Sequence, residues 1–124
     1  MKKAVKANLI KCYSLMCEAL WAYDDRTEQS NKLSDIRQYS NQLPIEMNKK
    51  ISEYVNQVIY PMVYDMDYWS FIEKDERYGS YDNNKHFIVN SDCSLEYIIF
   101  SKYHHVLDLI EKLSVFMLKE FNLD

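Results

Sequence analysis

The sequence predicts an all-α fold, a small bundle of four or five helices with a long C-terminal helix. Three observations predict it. Apolar residues recur at three- and four-residue steps through most of the chain, the period of a helix buried along one face. Gly occurs once, at Gly79, and Pro twice, at Pro44 and Pro61, so the turn residues that a sandwich or barrel needs for its many hairpins are missing. A length of 124 residues with 48% hydrophobic and 27% charged content suits one globular domain, residues 1–124, and is short for two.

The first helix is expected over residues 3 to 23, where Val5, Leu9, Cys12, Met16, Leu20 and Tyr23 keep the helical step. Ile10, Tyr13, Cys17 and Trp21 widen its apolar face, so it should pack deeply. The next stretch, DDRTEQSNKLSDIRQYSNQL, is far more polar. Its thin stripe of Leu33, Ile36, Tyr39 and Leu43 suits a surface helix that stops before Pro44. Pro44 fits the first turn of a third helix, where its missing N–H costs nothing. Met47, Ile51, Tyr54, Val58 and Met62 carry that helix forward until Pro61 interrupts or kinks it. YGSYDNNKH reads as a loop and FIV, residues 87–89, as a short extended piece. From a cap between Ser91 and Ser94, the stripe Leu95, Ile98, Ile99, Tyr103, Val106, Ile110, Leu113, Phe116 and Met117 outlines the long final helix.

Charge narrows the partners. The net charge is −4, with Lys2, Lys3, Lys6 and Lys11 placing +4 in the first eleven residues, so the rest carries −8. An acidic body disfavours direct nucleic-acid binding, which draws its affinity from neutralised phosphates. It favours a basic protein partner through electrostatic steering. No stretch approaches the roughly 18 apolar residues of a membrane span, and Lys6, Asn8 and Lys11 break up the apolar region an export signal needs. Cys12, Cys17 and Cys93 read as free thiols, so a cytoplasmic location is expected.

Candidates for catalysis are few. In KYHHVLDLIEK, His104 and Asp108 are four apart and His105 and Asp108 three apart, so the cluster could share a helix face. A metal there would need a ligand from elsewhere, and the remaining histidine, His86, falls in a loop. Cys12 and Cys17 point about 140° apart round a helix, too divergent to chelate together. No nucleophile elbow, zinc-protease motif, P-loop or dinucleotide fingerprint occurs. The expectation is therefore a non-enzymatic protein with no catalytic residue, no metal and no cofactor. A helical RNA-processing or metal-dependent enzyme using His104, His105 and Asp108 is the alternative.

The densest signal is YPMVYDMDYWSFIEKDERYG, residues 60–79, which holds six of the eighteen aromatics and five of the nineteen acids. Treated as helical, residues 62–78 place Tyr64, Tyr68, Phe71 and Tyr78 within an arc of about 80°, with Met62, Met66 and Trp69 nearly opposite. Either both faces are buried with tyrosine hydroxyls at the edge, or the tyrosine face is exposed. An exposed face would make Tyr64, Tyr68, Phe71 and Tyr78 anchors on a partner, with Asp65, Asp67, Asp75 and Glu76 pairing its Lys and Arg. The same stripe could instead join copies of a structural bundle.

With residues 60–78, its size, its acidity, its helical pattern and its lack of catalytic motifs, the chain resembles the small bacterial immunity proteins, nearest in character those of contact-dependent growth inhibition systems. Phage-encoded inhibitors of host defence share these features. The resemblance implies a cytoplasmic protein that binds one cognate toxin, often a nuclease with a basic cleft, and occludes its active site. It carries no motif, so it assigns no residue.

Overall fold

The computed structural model describes residues 1–66, 68–73 and 75–122, and of residues 63, 64, 68 and 69 the backbone alone. In chain order it runs α1 (Lys3–Trp21), α2 (Arg26–Ser40), α3 (Ile45–Tyr54), a π-helical turn (Val55–Ile59), α4 (Tyr60–Asp65), α5 (Tyr68–Ile72), β1 (Gly79–Tyr81), β2 (Phe87–Val89) and α6 (Leu95–Phe121). With α3, the π-turn and α4 forming one continuous rod, the described residues make the expected mostly helical bundle of five helices.

α1 buries Leu9, Cys12, Leu15, Met16, Ala19 and Leu20. It closes two residues earlier than its apolar step suggested, with the Ala22 N–H bonded to the Glu18 carbonyl. α2 starts where Asp25 accepts a hydrogen bond from the Glu28 N–H at 3.0 Å, satisfying one of the donors a helix start leaves open. Its buried face includes Leu33 and Ile36 and, less legibly, Gln29. The Gln29 Nε2 donates to the Ala19 carbonyl at 2.8 Å and so ties α2 to the end of α1, while its buried Oε1 accepts no protein hydrogen bond.

Pro61 does not break its helix. Its ring would crowd the carbonyl four residues back, and the turn just before it widens, so that the Tyr60 N–H bonds to the Val55 carbonyl, five residues back. The wide turn also moves the buried stripe. Ile51, Val55, Ile59, Met62 and Met66 face the core, whereas Val58, which the regular step selected, is half-buried.

Gly79–Tyr81 is a strand rather than part of a loop, because FIV gives it a partner. The two pair antiparallel in the register Gly79↔Val89, Ser80↔Ile88 and Tyr81↔Phe87. Asp82 organises the turn between them, its Oδ1 accepting from the Asn84 and His86 N–H groups, each at 2.9 Å. A side chain at Gly79 would run into the Ile88 carbonyl oxygen and the Phe87 ring, so the close approach of the strands requires a glycine there.

α6 is capped by Ser94, which accepts from the Tyr97 N–H at 3.1 Å, and ends at Asn122 in the left-handed conformation. Its C-terminal half fills the main core with Val106, Leu113, Met117 and Phe121, against α1, α2, α3 and α4. Its N-terminal half meets a second, smaller cluster of Ile72, Tyr78 and Ile98, edged by Phe71, Phe87, Val89 and Cys93. Leu95, Ile99 and Tyr103, expected on the buried stripe, are exposed. No helix among the described residues is long and apolar enough to cross a membrane.

Candidate functional site

A groove of about 520 Å³ opens between α6 and the segment from α4 to β1. That volume lies within the usual range of ligand clefts. One wall carries Asp65, Phe71, Asp75, Arg77 and Tyr78, and the other carries Tyr97, Phe100, Ser101, His104 and His105. The two groups of residues that the sequence offered for different roles, the acidic aromatic segment and the histidine pair, therefore line one groove.

The first wall is built by a turn. Tyr78 N–H bonds back to the Asp75 carbonyl at 3.1 Å, and Asn90 reaches across from the end of β2. Its Nδ2 donates to the Glu76 and Arg77 carbonyls at 3.2 and 3.0 Å, while its N–H donates to the Tyr78 carbonyl at 2.8 Å. Asp75 accepts the Arg77 N–H at 2.9 Å on one oxygen and the Arg77 Nε at 2.8 Å on the other. That hydrogen-bonded guanidinium holds the Asp75 carboxyl below the usual carboxylate range. The guanidinium also lies 5.5 Å from the Tyr78 ring centre, so it is fixed on two sides.

Aromatic rings form the floor. Tyr78 packs against Phe71 at 5.4 Å and Tyr97 at 6.0 Å, ring centre to ring centre. His105 stands edge-on to Phe71 at 6.2 Å, and His104 edge-on to Phe100 at 4.3 Å and to Tyr103 at 5.8 Å. Phe100 is 60% exposed, which places a large apolar ring at the groove mouth in contact with water.

The single helix drawn through residues 62–78 is not continuous: α4 ends at Asp65, α5 covers Tyr68–Ile72, and residues 76–78 form a turn. The arc of tyrosines is correspondingly altered. Tyr78 is only 3% exposed and belongs to the second cluster, so its ring supports the groove from beneath instead of standing out as an anchor. Phe71 is half-buried beside it. Met62 and Met66, expected opposite, are buried in the main core. Asp65 and Asp75 reach the groove, and Glu76 is exposed without lining it. Asp67 and the side chains of Tyr64, Tyr68 and Trp69 lie outside the described residues.

Asp108 does not join the histidines. It pairs with Lys112 one turn on, Oδ2 to Nζ at 3.0 Å, and is absent from the groove lining. Among the described residues no three His, Cys, Asp or Glu side chains converge in a way that could hold a metal ion. Burial pushes the Cys12 and Cys17 thiols up to about 11, which leaves them unreactive near neutrality.

Tyr97, Phe100 and Ser101 were not singled out from sequence. Tyr97 and Phe100 fall off the apolar stripe of α6, and that offset was the available signal: an aromatic outside the core-facing arc marks a second surface. No known protein family, curated protein or solved structure matches this chain.

Proposed function

We propose that the chain is a non-enzymatic binding protein that takes a projecting element of a basic partner protein into the groove between α6 and the α4–β1 segment. The observation that carries this reading is the groove's lining: the exposed Phe100 ring and the aromatic floor beside Asp65 and the Asp75–Arg77 pair. Exposed aromatics with a polar rim are the composition of protein-recognition hot spots. Asp75 is already neutralised by Arg77, so preference for a basic partner rests on the −8 carried by residues 12–124 more than on that carboxylate. In its narrower form the partner is a toxic enzyme, such as a nuclease with a basic cleft, and the chain is the immunity protein that occludes its active site. The separation of Asp108 from the two histidines favours binding over the His104/His105/Asp108 enzyme.

The test is co-expression with the toxic product of a gene adjacent to the one encoding this chain. Expected are host survival and a stoichiometric complex on gel filtration, both lost with Phe100→Asp and formed more slowly at high salt. Growth arrest with the chain present and folded would overturn the immunity form. Unchanged complex formation by Phe100→Asp would remove the groove from the interface.

A further inference from the structure

At 100° per residue, Leu95, Ile99 and Tyr103 fall in the same 80° arc of α6 as the core residues Val106, Leu113 and Met117. The core-facing stripe thus continues past the bundle. It is covered where α1 and α3 lie against the helix and bare beyond the end of α1, where the Trp21 ring meets Tyr103 in a tilted contact, 5.6 Å between ring centres. Leu95 is 61% exposed, Ile99 56%, Phe100 60%, Tyr103 45%, Leu107 37% and Trp21 42%.

We infer that this bare ridge is the contact between two copies of the chain, packed antiparallel about a two-fold axis near Tyr103. Its shape, area and charge point to that occupant. Leu95, Ile99, Tyr103 and Leu107 form an i, i+4 row, a convex ridge with its own adjoining groove. Two such ridges interdigitate in the commonest class of helix packing, and one surface can serve both partners. The six residues expose roughly 600–700 Å² together, approaching the ~800 Å² each partner gives a standard interface and at the upper end of the ~300–600 Å² of a typical monomer's largest apolar patch. Only Glu96 brings a charge to the ridge, at its outer end. Beside the ridge, Glu96 and Glu111 outnumber Lys102, the opposite of the basic flanks that hold a helix on an anionic membrane.

Tyr97, Ser101, His104 and His105 lie on the far side of α6 from the core of the ridge, and Phe100 alone borders both ridge and groove. The dimer is therefore tested at Ile99 and Leu107, which do not line the groove.

Sedimentation velocity over the micromolar range tests it. The expected mass is twice the 15.0 kDa of one chain, falling to one chain in Ile99→Asp with Leu107→Asp at unchanged helical circular dichroism. If that pair does not fold, Ile99→Asp alone serves, with a weakening of at least tenfold expected. In a Cys17→Ser, Cys93→Ser background, Tyr103→Cys should give a covalent dimer with a short bismaleimide. A native chain that stays monomeric, a dimer indifferent to these substitutions, or a monomer that co-sediments with anionic vesicles would each overturn the inference.

Discussion

The two halves of α6 carry the same stripe and meet different fates. Leu113 and Met117 are fully buried, while Ile99 and Tyr103 on the same arc face water. Periodicity fixes which side of a helix is apolar, but the lengths of its neighbours decide how much of that side is covered. α1 spans 19 residues and α6 spans 27, so α6 cannot be matched by α1 along its whole length. The half beyond α1 acquires a groove on one side and a bare ridge on another.

The largest contrast is between truncations in the two halves. Leu113→Ala removes a fully buried side chain from the main core and should cost about 3–5 kcal/mol in urea denaturation. Ile99→Ala, measured at concentrations where the chain is monomeric, should cost less than about 1 kcal/mol. Equal costs would erase the distinction between the halves.

Tyr78→Ala tests whether the small cluster under the groove is structural. A loss of about 2–3 kcal/mol is expected, because the buried ring joins Phe71, Ile98 and the Arg77 guanidinium. A melting curve indistinguishable from the native chain's would return Tyr78 to the list of surface anchors.

Alkaline pH should act through the main core. The Cys12 thiol titrates at about 11 in the folded chain against an ordinary 9.0, so the unfolded chain loses its proton first. Stability is then full below about pH 9 and falls as pH rises toward 11, by on the order of 2 kcal/mol from this thiol. Cys12→Ala should flatten that part of the profile, and a flat native profile would contradict it.

The smallest effect belongs to the polar face of the outer half. His104→Ala with Asp108→Ala should leave stability within about 1 kcal/mol, since both residues are exposed and do not bond to each other. Stoichiometric zinc lost in that double variant would revive the enzyme reading.

Most of the fold was legible because it rests on period and caps. Leu9, Cys12, Met16 and Leu20 mark α1, Ser94 caps α6, and FIV is a strand, whereas the Asp25 cap of α2 was not read from the sequence. The site was less legible. Asp65, Phe71 and Asp75 were named, but their arrangement depends on a helix that stops at Asp65 and resumes at Tyr68, and projecting one straight helix through both cannot register that. Phe100 and Tyr97 were signalled only by their offset from the α6 stripe, because what faces them comes from α5 and the hairpin packing near α6, a long-range event that no local spacing encodes.

The wide turn at Val55–Ile59 has a consequence for chain length. A π-turn holds one residue more than a regular α-helix uses for the same advance. A one-residue deletion there, made together with Pro61→Ala, would return the rod to regular winding and leave Met62 and Met66 pointing into the core. The same deletion within α1 would swing every later side chain of that helix by about 100°. Along the α3–α4 rod, slack in the residue count is therefore held at the π-turn, beside the small cavity of about 100 Å³ that Val55, Asn56 and Tyr60 line with α2.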